Sequence, residues 1–185
     1  PAEHRRPEAP AVARFAAADT HAVAFHAWIQ WQLDRQLAAA AAVSPGLVHD
    51  LTIGADPHGA DAWIWQDQLA TGVRVGAPPD EFNADGQDWG LPPFVPWKLR
   101  AAGYEPLAEL LRGAFAHGAG LRVDHVMGLF RLWWIPDGAG AADGGYVRFP
   151  GRELLDVLAL ESVRAGAFVV GEDLGTVEDE VRDAL

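Results

Sequence analysis

Two clusters of ionisable side chains stand where apolar runs end. In LRVDHVMGLF (121–130), β-prone Leu121 and Val123 alternate with Arg122 and Asp124, and His125 and Gly128 follow. In AFVVGEDLG (167–175), an apolar run gives way to Gly171, Glu172 and Asp173. Apolar runs that end in several charges read as the carboxyl ends of buried parallel strands, where α/β barrels hold their catalytic groups. Adjacent strands lie ~4.8 Å apart. Asp124 and Glu172 at equal height on neighbouring strands would come within about 5–5.5 Å, the spacing of a retaining glycosidase pair. One carboxylate must stay ionised to attack an anomeric carbon, and the other must hold a proton for the leaving oxygen. Arg122 beside Asp124 favours the ionised form there, whereas Glu172, with Val170, Asp173 and Leu174 around it, is the candidate for a raised pKa.

Plainer readings stand beside this one. Arg122 and Asp124 could be a structural ion pair at a strand end. Asp124, His125, Glu172 and Asp173 could ligate a divalent metal, since carboxylate and imidazole suit several such ions. Against that, neighbours on one strand point to opposite faces. There is no G-x-S-x-G elbow, no HExxH and no GxGxxG followed by an acid. Glu81, Asn83, Asp85 and Gly86 imitate the start of a calcium loop, but Pro92 occupies the position of its bidentate Glu.

These groups need elements to carry them. Residues 1–20 are Pro- and Ala-rich with a short basic cluster at His4, Arg5 and Arg6, and read as a loosely held lead-in. Thr20 can cap a helix from His21 to about Val43, with Phe25, Trp28, Ile29 and Leu37 at helical spacing. Trp31 and Leu33 widen its apolar stripe, so this helix is expected between two layers, with Trp28 and Trp31 in the core. Pro45 and Gly46 stop it. Residues 47–55 form a short β-prone run with Asp50 inside; a charge there is costly unless paired. It is either a helper at a polar site or a local cap. Residues 56–103 are irregular and rich in Gly, Pro and Asp. Their aromatics (Trp63, Trp65, Phe82, Trp89, Phe94, Trp97) argue for a folded excursion over a pocket and against disorder.

From Tyr104 to His117 an amphipathic helix turns Leu107, Leu110, Leu111 and Phe115 to one side, and Gly118 and Gly120 lead into the strand at 121. An aromatic segment, a Gly/Ala/Asp loop and a short strand at Tyr146–Phe149 follow. A helix from Arg152 to about Arg164 with Leu154, Leu155, Leu158 and Leu160 mostly inward comes next, then a buried strand at Ala167–Val170. Thr176 caps a last acidic helix. Helix, turn and strand in this order are the repeat of a parallel sheet, so the fold class is α/β.

The whole chain narrows the partners. It has 14 Lys plus Arg against 26 Asp plus Glu, a formal net charge of -12, which disfavours nucleic acid and anionic membranes. No run of about 18 apolar residues offers a transmembrane helix. The absence of cysteine removes disulfides and thiolate metal sites and fits a reducing, cytoplasmic location. The chain opens on Pro1, so an upstream signal or domain stays open. Eight Trp in an acidic chain hint at carbohydrate stacking, with core packing as the ordinary alternative.

Taken together, FHAWIQWQLDRQL (25–37), DLTIGADPHGADAW (50–63), GAPPDEFNADGQDWGLP (76–92), LRVDHVMGLFRLWWIP (121–136), PGRELL (150–155) and VVGEDLGTV (169–177) resemble the bacterial 4-α-glucanotransferases, or amylomaltases, relatives of the α-amylases. The resemblance implies part of a (β/α)8 TIM barrel with a long lid excursion, residues 56–103, between barrel strands. It implies transfer of α-1,4-glucan segments between maltooligosaccharides by a retaining double displacement, without metal or organic cofactor. Asp124 then matches the nucleophile, Glu172 the acid/base and Arg122 the arginine that holds the nucleophile. Asp50 and Trp89 match residues lining the sugar site, and Asp80 to Asn83 the loop over the cleft. His125 and Asp173, next to the two carboxylates, are counted with the substrate-binding residues.

Three positions depart from the family pattern: Glu81 stands where Tyr is frequent, Leu91 replaces the Asn of WGNP, and Met127 replaces the Arg of DHFRG. The resemblance also implies a third essential aspartate beyond Leu185 and earlier barrel strands before Pro1. Residues 21–185 would be the central part of the catalytic domain, inactive alone and prone to self-association. An α-glucan hydrolase of the same barrel, or a non-catalytic glucan-binding module with Trp63, Trp65 and Trp89 as platforms, are the alternatives. Only an enzyme has need of the carboxylate pair.

Overall fold

The computed structural model describes residues 1–44, 46–174, 177 and 179–184. Two units divide the chain, 1–47 and 48–185. The first is helical: a 3-10 turn at Ala2–His4, then α1 (Pro10–Ala18) and α2 (Thr20–Val43). Pro10 sits in the first turn of α1, where its missing N–H costs nothing. Asp19, not Thr20, caps α2: its carboxylate accepts the Ala22 N–H at 3.1 Å. Both residue types can cap, and the backbone turn falls one residue earlier than expected. The expected stop at Pro45 lies outside the described residues.

α2 corrects a second expectation. It buries none of its side chains: Phe25, Trp28 and Trp31 are 50%, 52% and 50% exposed. Instead Phe25 stacks on Trp28 and the Arg35 guanidinium lies 4.8 Å from the Trp31 ring. Periodicity marks the helix as apolar; it does not say what covers it.

The second unit opens with β1 (Val48–Leu51), followed by α3 (Ala60–Ile64), β2 (Val73–Ala77), β3 (Gln87–Leu91) and α4 (Pro96–Ala101). Then come α5 (Glu105–Phe115), β4 (Gly120–Val123), β5 (Arg131–Pro136), β6 (Gly145–Arg148), α6 (Gly151–Ala165), β7 (Phe168–Gly171) and α7 (Asp179–Ala184). Strands β1, β4 and β7 form a parallel sheet in that order. The helices α5 and α6 precede β4 and β7, as parallel connection requires. Leu107, Leu111 and Phe115 of α5, Leu154 and Leu158 of α6, and Leu121 and Val123 of β4 make one buried cluster. Each such aliphatic side chain contributes on the order of 1.5–3 kcal/mol. Leu110 and Leu160, expected inward, are exposed. So are Phe168 and Val170 of the strand expected to be buried, because among the described residues β7 has a strand partner on one side only. The helix pair encloses one acid: buried Glu161 takes Arg112 at 2.9 Å and Arg164 at 2.8 Å. α6 ends as its Gly predicts, with Gly166 left-handed at φ 65°.

Residues 56–103 are folded, as their aromatics indicate, and supply half of a second sheet. It is antiparallel, in the order β3-β2-β5-β6. Its strands come from two connections, one leaving β1 and returning through α5, the other leaving β4 and returning through α6. Gly76 is required where β2 and β3 meet, since a Cβ there would lie 2.0 Å from the Gln87 carbonyl oxygen. The fold is therefore α/β with one parallel and one antiparallel sheet.

Candidate active site at the ends of the parallel strands

Register brings the charged groups together. Asp50 of β1 is level with Arg122 of β4, and Val123 of β4 with Gly171 of β7. Arg122 uses one nitrogen, Nη1, on both oxygens of Asp50 (2.7 and 2.8 Å) and the other, Nη2, on Asp124 Oδ1 (2.7 Å). That settles the partner Asp50 needed: it is no local cap. The bond to Asp50 first, then that to Asp124, lifts Arg122 further above its ordinary range, against the effect of desolvation. Arg122, Asp50 and Asp124 are 38%, 60% and 37% exposed. Ion pairs this wet add little stability. The fork's value is orientation: it fixes which oxygen of Asp124 is held.

The ladder continues past the strands. Asp124 N–H donates to Leu51 O at 3.0 Å, and Glu172 N–H to Val123 O at 2.9 Å. At His125 the backbone turns left-handed, φ 49° and ψ 60°, a conformation His adopts more readily than most residues. That turn aims the His125 N–H at Glu172 Oε2 (2.9 Å), while Leu174 N–H holds Oε1 (2.8 Å). The Glu172 carboxyl is thus fixed by two backbone donors. Burial pushes the His125 imidazole below its usual pKa; Glu172 and Asp124 pull it up, and Arg131 pushes it down.

Trp89 of β3 closes the arrangement from the second sheet. Its ring meets His125 edge-on, centroids 5.4 Å apart, and its Nε1 donates to Gln87 Oε1 at 3.2 Å. A cavity of about 740 Å³ opens beside these groups, lined by Asp50, Asp124 and His125 and by apolar side chains that include Trp65, Phe94 and Leu110. Among the described residues, Glu172 does not line it.

The structure therefore gathers Asp50, Arg122, Asp124, His125, Glu172 and Trp89. Two expected residues are engaged elsewhere. Asp80 Oδ1 accepts the N–H groups of Phe82 (2.8 Å) and Asn83 (2.7 Å), shaping its own loop. Asp173 pairs with Arg182 of α7 at 3.6 Å. Sequence reasoning missed Gln87, which tethers Trp89, and Arg131, whose charge reaches His125. Arg131 also covers the Tyr146 ring at 4.1 Å. Gln87 acts locally, on Trp89 two residues along the same strand, and that spacing is readable in the sequence; nothing in the residue type of Arg131 signals its approach to His125. Among the described residues, no group of three or more His, Asp or Glu is placed to hold a metal. Nor is any helix long and apolar enough to cross a membrane.

Comparison with known proteins gives a consistent result. The sequence model of a family described as 4-alpha-glucanotransferase matches residues 1–185. The 4-alpha-glucanotransferase of Mycobacterium tuberculosis (strain H37Rv) is 52% identical over 191 residues, which cover all of this chain and 26% of the relative. That of Haemophilus influenzae is 45% identical, over 86% of this chain and 24% of the relative. Among solved structures, an amylomaltase from Corynebacterium glutamicum superposes with a TM-score of 0.81 at 48% identity, covering 85% of this chain and 23% of that one. An amylomaltase from Streptococcus agalactiae in complex with acarbose gives a TM-score of 0.85 at 21% identity over 98% of this chain and 38% of that one, a likeness of fold. The chain spans about a quarter of the length of the curated relatives it matches.

Proposed function

Because the chain belongs to the 4-alpha-glucanotransferase family, we propose that the protein carrying it moves α-1,4-glucan segments from one maltooligosaccharide to another by a retaining double displacement. The observation that carries this reading is the three-strand constellation: Asp124 bound to Arg122, itself bound to Asp50, with Glu172 fixed beside His125. Asp124 is the nucleophile. With Oδ1 held by Arg122, Oδ2 attacks the anomeric carbon as the glycosidic C–O bond breaks. Glu172 gives its proton to the departing oxygen. It then takes a proton from the acceptor hydroxyl, whose oxygen displaces Asp124 and restores the α-linkage. Asp50, His125 and Trp89 line the sugar position. Residues 56–103 cover the cleft, with Asp80 shaping the loop at its mouth. In this reading β1, β4 and β7 are three staves of a (β/α)8 barrel, and a third aspartate comes from outside these 185 residues.

Transfer wins over hydrolysis when the covered intermediate meets a sugar before it meets water. The experiment is chromatography of the full-length protein incubated with maltotriose, beside its Asp124→Asn variant. Glucose plus a ladder of longer oligosaccharides, lost in the variant, is the expected outcome. Glucose and maltose without a ladder would make the protein a hydrolase. No product from a folded sample would leave the carboxylates as scaffolding.

A further inference from the structure

We propose that Asp88 and Arg74 form a clasp that positions Trp89 over the candidate site. The inference rests on the reading of Trp89 as a sugar-lining residue. Between β2 and β3 the register slips: Val75 faces Leu91, yet the next residue, Gly76, faces Asp88. Trp89 and Gly90 are the surplus, a bulge in β3. Bulges beside active sites re-aim side chains, and this one sends Trp89 to His125.

A bulge needs something to hold its shape. Asp88 Oδ1 accepts the Gly90 N–H at 2.9 Å, bridging Trp89, and Gly90 supplies the left-handed turn at φ 71°. The other oxygen, Oδ2, takes Arg74 Nε at 2.7 Å from the neighbouring strand. Arg74 is anchored in turn: Nη1 reaches Asp137 Oδ1 at 2.9 Å and Pro136 O at 3.5 Å, and Nη2 reaches Ala139 O at 3.5 Å. The pair is 27% and 39% exposed, too wet for its main effect to be stability. A run of bonds thus joins the turn after β5 to the backbone on both sides of Trp89. Neither Asp88 nor Arg74 touches the reacting carboxylates; both are positioning residues.

The test is steady-state kinetics on maltotriose with the full-length protein. Asp88→Ala and Arg74→Met are expected to raise KM about five- to twentyfold with kcat within about threefold, the pattern of lost ground-state binding. Asp88→Asn, which keeps one oxygen for Gly90 but turns an NH2 donor toward the Arg74 guanidinium, should raise KM about as much as Arg74→Met. Trp89→Ala should raise KM at least as much as Asp88→Ala, and adding Asp88→Ala to it should raise KM no further, because the clasp then holds nothing. An additive rise in the double variant overturns the proposal, as does an unaltered KM in Asp88→Ala. If Asp88→Ala does not fold, Asp88→Asn and Arg74→Met carry the same comparison. An unaltered KM in Trp89→Ala would remove Trp89 from the sugar site and the clasp with it. A parent that makes no ladder fails the functional reading instead.

Discussion

The left-handed backbone at His125 delivers a donor to Glu172 while its ring packs edge-on against Trp89. Burial lowers its pKa, and this gives a sign to test. As pH falls below the ordinary value of 6.5, the unfolded chain binds a proton before the folded one. Stability is full above that value and falls until the folded imidazole also titrates. His125→Asn, which tolerates a left-handed backbone, should flatten this slope in urea midpoints measured between pH 8 and 5; parallel slopes would contradict it. Arg122→Lys tests the fork. A lysine cannot serve two carboxylates with fixed geometry, so transfer by the full-length protein should drop roughly tenfold or more while the folding midpoint barely moves. Equal activity would show that the fork orients nothing. The Arg122–Asp124 contact was legible because residues two apart share a strand face. The Asp50–Arg122 contact was not, because it depends on a register between residues 72 positions apart.

At the scale of elements, the tightest constraint is the crossing of β2 and β3. Gly76→Ala would put a Cβ against backbone and against Ile135 Cδ1 at 2.6 Å. It should cost on the order of 2–3 kcal/mol in urea unfolding. Gly145→Ala, with nothing within 4 Å of its added carbon, should stay within about 0.5 kcal/mol. Similar losses at both sites would refute the packing argument. The α5–α6 contact carries a pH signature. Its bond to Arg112 first, then that to Arg164, holds Glu161 below its ordinary value of 4.5. Its stabilisation is present above that value and disappears as pH falls through the folded pKa. Glu161→Gln should therefore lower the melting temperature at pH 7, with the gap closing in acid; a gap independent of pH would assign the loss to packing. Both helices were legible from their apolar spacing and their Pro and Gly stops. The second sheet was not: Leu132 to Ile135 shows no alternation, and besides its chain neighbour β6, β5 pairs with β2 from the earlier excursion.

For the molecule as a whole, the parallel sheet ends in two strands, β1 and β7, whose outer edges have no strand partner among the described residues. Val48, Phe168 and Val170 are about half exposed along them, and α2 presents its own aromatic surface. Open edges and apolar faces pair with other copies. Residues 1–185 prepared alone should sediment as oligomers, increasingly so as pH nears the pI of about 4.8; a monomer at all concentrations would contradict this. The α/β class was visible from the order of helices and strands, whereas the pairing of the two excursions was not. That pairing has a consequence for descent and for engineering. The connections after β1 and after β4 share one sheet, zipped at β2 and β5. They therefore form a single heritable module written in two separate stretches of sequence. A chimaera that borrows only residues 73–91 from a distant relative would mismatch the seam, while one that borrows 73–91 together with 131–148 would carry its own mate. Recombination within this lineage should respect that pairing, with changes on one side of the seam answered on the other.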